Sequence, residues 1–164
     1  MRRVGVVLGF WCVVVTVACS GGGSKPSFDA GGPGITRDAP NGTVVIGDTT
    51  YEFAMTCYAP GTGAVVAVGT GSDPATGRTT RALVQAFFGD PYVGVTVGDS
   101  GTVYEPSLDE PIDLYFQGDV VRGGAIRFVK DLDLRARAGT PAGLGSVTVT
   151  CRGYRSGLPP GYGK

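Results

Sequence analysis

The chain has 164 residues, of which 42% are hydrophobic and 17% are charged, which is enough apolar content for one packed domain and too little length for two. The absence of histidine excludes Ser-His-Asp and Cys-His catalysis as well as a His-ligated zinc site. The 14 basic side chains are balanced by 14 acidic ones and interspersed with them. Nucleic acid is therefore not an expected partner.

The N-terminus has the pattern of a secretory leader. Arg2 and Arg3 precede an apolar run from Val4 to Ala18. This run is shorter than the ~20 residues that a transmembrane helix needs, and it ends in a small residue, as before a cleavage site. We therefore predict a signal peptide over residues 1–18.

The end of this leader, Thr16-Val17-Ala18-Cys19, resembles the bacterial lipobox, whose cysteine becomes diacylglycerol-modified. The resemblance implies that Cys19 is a lipidation site. Two acyl chains, at ~0.8 kcal/mol per buried CH₂, make such an anchor stable. This predicts a protein held at the extracytoplasmic face of the cell membrane. The alternative is an unmodified Cys19 beside an ordinary signal-peptidase site.

Both ends of the remaining chain are rich in Gly, Pro and Ser. Residues 19–41 contain only Phe28 and Ile35 as sizeable apolar residues, too few to offset the entropy of ordering, so we predict a flexible tether. For the same reason we predict a disordered tail over residues 155–164. The predicted domain spans residues 42–154.

Within the domain, apolar residues recur with period two, as expected for β-strands. Residues 51–58 place Cys57 on an apolar face, and residues 147–152 do the same for Cys151. The segment 80–88 fits an extended run or two turns of helix, and we interpret it as a strand. The other predicted strands are 44–47, 64–69, 92–97, 102–104, 112–117, 126–129 and 132–138. Their separation by Gly, Pro and Asp predicts an all-β domain, built as a small antiparallel sheet or sandwich.

The domain contains two cysteines. Cys57 and Cys151 both lie on apolar strand faces of a chain that its leader directs to an oxidising compartment, which predicts a disulfide between them. Closing a loop of about 95 residues would stabilise the domain by on the order of 4–5 kcal/mol. The alternative is two buried thiols that never meet.

Several features follow one another in a fixed order along the chain. They are the leader with Cys19, the Gly/Ser/Pro tether, residues 44–47 (VVIG), Cys57, residues 66–69 (VAVG) and residues 147–151 (VTVTC). Together they resemble the mycobacterial lipoprotein antigen family typified by the nineteen-kilodalton antigen. The resemblance implies a surface-exposed, acylated envelope protein whose lipid is sensed by host innate receptors, with no established enzymatic activity.

Two groups of charged residues have patterns of interest. Asp109, Glu110 and Asp113 lie close together, and such carboxylates can hold Ca²⁺ or perform acid–base chemistry. The glycine turn and ligand spacing of a calcium loop are not found around them, so we interpret them as part of a solvated loop. Asp131 and Asp133 alternate with leucines and are followed by two arginines, Arg135 and Arg137. This pattern predicts an exposed strand face with surface ion pairs.

Asn41 begins a glycosylation sequon, which we interpret as a turn before a strand. The larger aromatic residues of the domain belong to its core, or else they line a pocket for a lipid or a small hydrophobic ligand. They are Tyr51, Phe53, Tyr92, Tyr115 and Phe116.

The expected function is a non-catalytic one, in which the anchored domain contacts envelope components or host receptors. The alternatives are a carrier of lipid or glycolipid and a hydrolase of envelope sugars that uses carboxylates alone. No catalytic residue, metal site or cofactor is predicted. The predicted sites are lipidation at Cys19 and the disulfide between Cys57 and Cys151.

Overall fold

The computed structural model describes residues 39–99 and 101–162. The predicted signal peptide, the Cys19 lipidation site and the tether as far as residue 38 lie outside the described residues. Within the described ranges all regular secondary structure is β-strand. No helix in these ranges has the length and apolar character needed to cross a bilayer.

Ten strands follow one another along the described part of the chain. They are β1 (Gly42–Ile46), β2 (Thr49–Gly61), β3 (Ala64–Ser72), β4 (Thr79–Ala86), β5 (Tyr92–Val97), β6 (Val103–Pro106), β7 (Tyr115–Gln117), β8 (Val120–Asp133), β9 (Ala138–Thr150) and β10 (Tyr154–Ser156). Strands β1 to β6, β8 and β9 pair in that order, and β9 returns to β1, which gives one closed, barrel-like antiparallel sheet. The predicted all-β class with an antiparallel sheet is confirmed.

The interior of the closed sheet is filled by side chains from alternate strand positions. A closed sheet of eight strands leaves an interior that side chains can just fill. Phe53 and Phe128 lie there with no exposed surface, and Ile126 is 1% exposed. Valines of β1, β3, β4, β5, β8 and β9 complete this core, because branched side chains pack well on a pleated surface. The period-two pattern of the sequence thus separates an inner from an outer face.

The hairpin between β8 and β9 differs from its prediction. Residues 132–138 were predicted as a strand, but residues 134–137 form the turn that joins the two strands. Asp133 stabilises this turn because its Oδ1 accepts hydrogen bonds from the backbone N–H groups of Arg135 and Ala136, at 2.8 and 3.1 Å. An aspartate that hydrogen-bonds the backbone two residues ahead favours a turn over a strand.

Residues 139–146 of β9 were not predicted as a strand. Their glycines and proline break the period-two pattern, but one of those glycines is required by the packing. A Cβ atom on Gly145 would collide with the carbonyl oxygen of Val45 in the neighbouring β1, and it would also press on the ring of Phe128. Glycine here permits the close approach of two backbones that closes the sheet.

Asn41 joins β2 to β9 at the start of β1. Its backbone N–H donates to the carbonyl of Phe53 at 3.0 Å, and its carbonyl accepts from the N–H of Thr150 at 2.8 Å. The side chain continues this bridge: Oδ1 accepts from the N–H of Met55 at 2.6 Å, while Nδ2 donates to the carbonyls of Met55 and Thr150 at 3.2 and 2.8 Å. The residue that opens the sequon is therefore part of the sheet's hydrogen bonding.

The predicted disulfide is confirmed. Cys57 of β2 and Cys151, which follows β9, are bonded with their Cα atoms 5.7 Å apart, and 94 positions separate them in sequence. Both are 3% exposed. The bond therefore joins β2 to the residue that follows β9.

The C-terminal tail differs from the predicted disorder over residues 155–164. Arg155 and Ser156 belong to β10, which pairs in parallel with β2 at Tyr58 and Ala59. This pairing is available because β2 extends beyond the end of β1 and leaves a free edge there. Further along the tail, the hydroxyl of Tyr162 donates to Oε1 of Gln85 in β4.

The apolar outer side of β3 explains why the C-terminal tail packs against the sheet. Val66 lies between Tyr58 of β2 and Gln85 of β4 in the sheet, and its neighbours Val65 and Ala67 point into the core. Val66 therefore faces outwards, yet it has no exposed surface. Removal of an apolar side chain from water is favourable. The tail runs from β2 to β4 on this side of the sheet.

Candidate functional site

An open groove lies on the outside of the closed sheet. Three segments form it: residues 87–92 from the β4–β5 loop and the start of β5, residues 105–114 from β6 and the loop after it, and Leu132 with Leu134 at the end of β8. Its volume is about 810 Å³, which falls in the range of small-ligand and peptide sites. We refer to this feature as the groove.

The groove exists because pairing between β5 and β6 stops early. These strands pair at Val95–Tyr104 and Thr96–Val103 only. The N–H of Ser107 points to β8, where it donates to the carbonyl of Arg127 at 2.8 Å, so position 106 would supply the next donor towards β5. Proline has no N–H, and Pro106 therefore ends the ladder.

A side-chain hydrogen bond replaces the missing ladder. The hydroxyl of Tyr92 donates to Oε1 of Glu105 at 2.5 Å and so links the two walls of the groove. The tyrosine ring reaches Glu105 by crossing Gly94, where a Cβ atom would lie 2.5 Å from the tyrosine oxygen. Burial, followed by the hydrogen bond to Glu105 and its charge, raises the pKa of Tyr92 above its ordinary value.

Large apolar side chains stand exposed around the groove. Phe88 is entirely exposed, Leu134 is 73% exposed and Leu108 is 39% exposed. They belong to three different loops or strand ends, and the fold brings all three to the same groove. Clustered exposed apolar residues of this kind mark interaction sites more often than singly scattered ones do.

The charged residues that line the groove all carry the same sign. They are Asp90, Glu105, Asp109, Glu110 and Asp113, and no arginine or lysine within residues 39–99 and 101–162 lines the groove. Asp90 accepts a hydrogen bond from Nε2 of Gln85 at 3.0 Å. Glu110 pairs with Arg127 at 3.1 Å, and both side chains are about half exposed. The groove therefore has an acidic rim around apolar side chains.

The predicted acidic cluster is part of this rim. Asp109, Glu110 and Asp113 are exposed on the loop after β6, and the hydroxyl of Ser107 donates to Oδ2 of Asp109 at 3.3 Å. Across residues 39–99 and 101–162, no group of three or more acidic or cysteine side chains is placed to hold a metal ion. The loop thus supplies charge to the groove and is held by its own hydrogen bonds.

The predicted ion pairs of Asp131 and Asp133 are not formed with Arg135 or Arg137. The carboxylate of Asp133 instead accepts the backbone N–H groups of the turn, and these bonds, first from Ala136 and then from Arg135, lower its pKa. Oδ1 of Asp131 accepts from the N–H of Val103 at 3.1 Å. Both carboxylates therefore fix backbone geometry, a role that charge spacing alone does not reveal.

The five aromatic residues considered for a pocket are not brought together. Tyr51 and Phe53 lie stacked in the core with ring centroids 6.5 Å apart, and Tyr92 lies in the wall of the groove. Tyr115 is exposed, and Phe116 packs edge-on against Tyr154 of the tail. Tyr92 is thus the one member of the set that lines the groove.

The sequence pattern did not predict the exposed residues of the groove. Phe88 was assigned to the strand over residues 80–88, but β4 ends at Ala86 and leaves Phe87 and Phe88 in the loop. The Gly-Asp-Pro run that follows Phe88 is a turn signal, so the end of the strand was readable. That Leu108 and Leu134 would meet Phe88 depends on the three-dimensional path of the chain.

Comparison of the chain with protein-family models, with curated proteins and with solved structures finds no match. The resemblance to the mycobacterial antigen family therefore stays a prediction from the sequence.

A second opening lies beside the β1–β2 turn and has a volume of about 520 Å³. Tyr51 and Tyr104 line it together with Asp48 and Lys130. Burial and then the neighbouring Tyr104 raise the pKa of Tyr51, so its hydroxyl stays protonated. Because the acidic and basic side chains here are balanced and the tyrosines contact each other, this opening shows less evidence of a missing partner than the groove does.

Proposed function

We propose that the protein is a lipid-anchored domain of the cell envelope that acts by binding a partner at the groove. The observation that carries the proposal is the contrast between a filled interior and exposed apolar side chains outside. Phe53, Phe128 and the core valines occupy the inside of the closed sheet, so an internal ligand would have to displace them. Phe88, Leu108 and Leu134 remain exposed at the groove.

Anchoring is supported by the sequence and by the disulfide. The leader and its lipobox-like end place Cys19 where an acyl anchor would be added. The buried Cys57–Cys151 bond suits an exported domain, because disulfides persist in oxidising compartments. No observation favours the carboxylate hydrolase, since Glu110 is engaged with Arg127 and the loop acids are exposed.

Intact mass of the protein from its native membrane tests the anchoring. We expect a chain that begins at Cys19 with added acyl mass, and two thiols that react with an alkylating reagent only after reduction. A Cys19→Ser variant, which has no acceptor for the lipid, is the control and should carry no acyl mass. An unacylated wild-type chain would refute anchoring and indicate a secreted protein.

A carrier of a small hydrophobic ligand is a second candidate, and the size of the groove favours it. About 810 Å³ is within the usual range for such sites. Native mass spectrometry of the purified protein would detect a ligand that persists through purification. A persistent hydrophobic adduct that is lost in a Phe88→Ser variant would favour the carrier, whereas a bare protein would favour partner binding.

A further inference from the structure

We propose that the partner presents a cationic peptide segment to the groove, with arginine side chains next to apolar ones. This inference rests on the proposed function and adds the chemistry of the occupant. It follows from three properties of the lining: the sign of its charges, the exposure of its apolar residues and the position of its aromatic residue.

The charges favour a cation. Among the described residues, five carboxylates line the groove and no basic side chain does, and a concave surface lined by one sign of charge concentrates the opposite sign. Glu110 is already paired with Arg127 and Glu105 accepts the Tyr92 hydroxyl, but Asp109 and Asp113 remain exposed. These two are the carboxylates best placed to meet an incoming cation.

The apolar residues favour an occupant that also carries apolar side chains. Phe88, Leu108 and Leu134 would be removed from water by a partner that lies in the groove, and that burial is favourable in proportion to the area covered. A purely apolar occupant would desolvate the carboxylates without pairing them, which is costly. An occupant that carries basic and apolar side chains would pair the carboxylates and also cover the apolar residues.

Arginine suits the groove better than lysine. Its planar guanidinium pairs with a carboxylate through two hydrogen bonds and stacks on aromatic rings. The fully exposed ring of Phe88 lines the same groove as Asp109 and Asp113, so a segment that carries arginine can use both interactions within the groove. A membrane of anionic lipids, in contrast, would be repelled by the acidic rim.

The test measures binding of defined peptides to the full chain, expressed through its own leader and purified in a nonionic detergent. The probes are fluorescein-labelled octapeptides of alternating Arg and Leu, Lys and Leu, or Glu and Leu, followed by fluorescence anisotropy. We expect the Arg peptide to bind most tightly and the Glu peptide at least about tenfold more weakly than the Arg peptide. Binding should weaken when salt is raised about tenfold, since this shortens the Debye length about threefold.

Two pairs of variants locate the site. Asp109→Asn with Asp113→Asn should weaken the Arg peptide about fivefold, as expected for two exposed charge pairs. The matched control is Asp48→Asn with Glu52→Gln, which removes two exposed carboxylates outside the groove and should leave binding unchanged. Phe88→Ser should weaken both cationic peptides, whereas Leu158→Ser, at another exposed apolar position, should not.

Several outcomes would overturn the proposal. Equal binding of the Arg and Glu peptides, or equal losses in the groove and control variants, would show that the groove does not select a cation. Weaker binding of Phe88→Ser than of the wild type to phosphatidylglycerol vesicles, with the acyl anchor unchanged and with Arg-peptide binding equal in the two, would assign the surface to lipid. Intact mass of the same sample reports acylation independently, so failure of anchoring and failure of peptide binding can be told apart.

Discussion

Strand pairing is extensive on one side of the closed sheet, with register shifts between β8 and β9, and short on the other. On the first side β8 pairs with β9 over most of their lengths, and β9, β1 and β2 follow in register. We call this the hairpin side. On the second side β6 is the link between β5 and β8, and it pairs with β5 at only two positions. We call this the short seam.

The two sides also differ in what reinforces them. The hairpin side carries the Asn41 bridge and the Cys57–Cys151 bond, whereas the short seam has the Tyr92–Glu105 hydrogen bond and the one that Asp131 accepts from Val103. Stability is not uniform across a protein, and binding surfaces are drawn from its less stable parts. The comparison therefore indicates that the hairpin side stabilises the fold, whereas the short seam forms the groove.

The largest expected effect comes from removing the disulfide on the hairpin side. Replacing Cys57 and Cys151 by serine should lower the free energy of unfolding by about 4 kcal/mol, because a loop of 94 positions is then free in the unfolded chain. Urea unfolding of the variant and of the wild type, each with and without reductant, measures this. A loss below about 1 kcal/mol would mean that strand pairing alone holds this side.

The Asn41 bridge should have the next largest effect. Asn41→Ala removes three side-chain hydrogen bonds that join β2 to β9, and we expect it to cost about 2 kcal/mol of unfolding free energy. Asn41→Asp keeps the oxygen that accepts from Met55 but places a charged oxygen against the carbonyls of Met55 and Thr150. It should therefore lose at least as much stability as Asn41→Ala at neutral pH. If Asn41 acted only as a turn residue, urea unfolding would show equal and small losses in the two variants.

The sequence predicted what depends on local pattern. Alternation around Cys57 and Cys151 located β2 and the end of β9, and the export signal made their bond the natural prediction. Residues 139–146 of β9 could not be predicted this way, because Gly145 is required by its contact with Val45 of β1, which is distant in sequence. β10 was missed because its residues gain order only from the free edge of β2.

The groove was less predictable than the fold. Three acidic residues of its rim, Asp109, Glu110 and Asp113, were identified as a loop, but nothing local indicates that this loop meets Phe88 and Leu134. Pro106 can be read from the sequence, and its missing N–H ends the pairing of β5 with β6. That consequence follows only once the neighbour of β6 is known to be β5.

On the short seam, Gly94→Ala should disturb the groove more than the fold. The new methyl group would displace the Tyr92 ring, and we expect a loss of about 1.5 kcal/mol of unfolding free energy together with weaker peptide binding. Gly124→Ala is the matched control, because a Cβ atom there meets nothing within 4 Å. Urea unfolding of both variants makes the comparison, and equal losses would show that the Tyr92 ring is not held across Gly94.

The smallest expected effect is that of Tyr92→Phe, which removes only the hydroxyl of the short seam. We expect it to cost about 1 kcal/mol. In a double variant, the loss from Tyr92→Phe should not add to the loss from Gly94→Ala, because both changes remove the same hydrogen bond to Glu105. A double variant that loses the sum of the two would show that they act independently.

The pH dependence of stability gives this last prediction a second measurement. Because the pKa of Tyr92 is raised in the folded protein, its contribution is fully present below about pH 10, the ordinary tyrosine pKa. Above that pH the unfolded chain releases the proton while the folded chain retains it, so stability falls as pH rises. Urea midpoints measured from neutral pH to about pH 11 should fall more steeply for the wild type than for Tyr92→Phe, in which Tyr51 still contributes. Parallel curves would mean that the Tyr92 hydroxyl is solvated and does not stabilise the short seam.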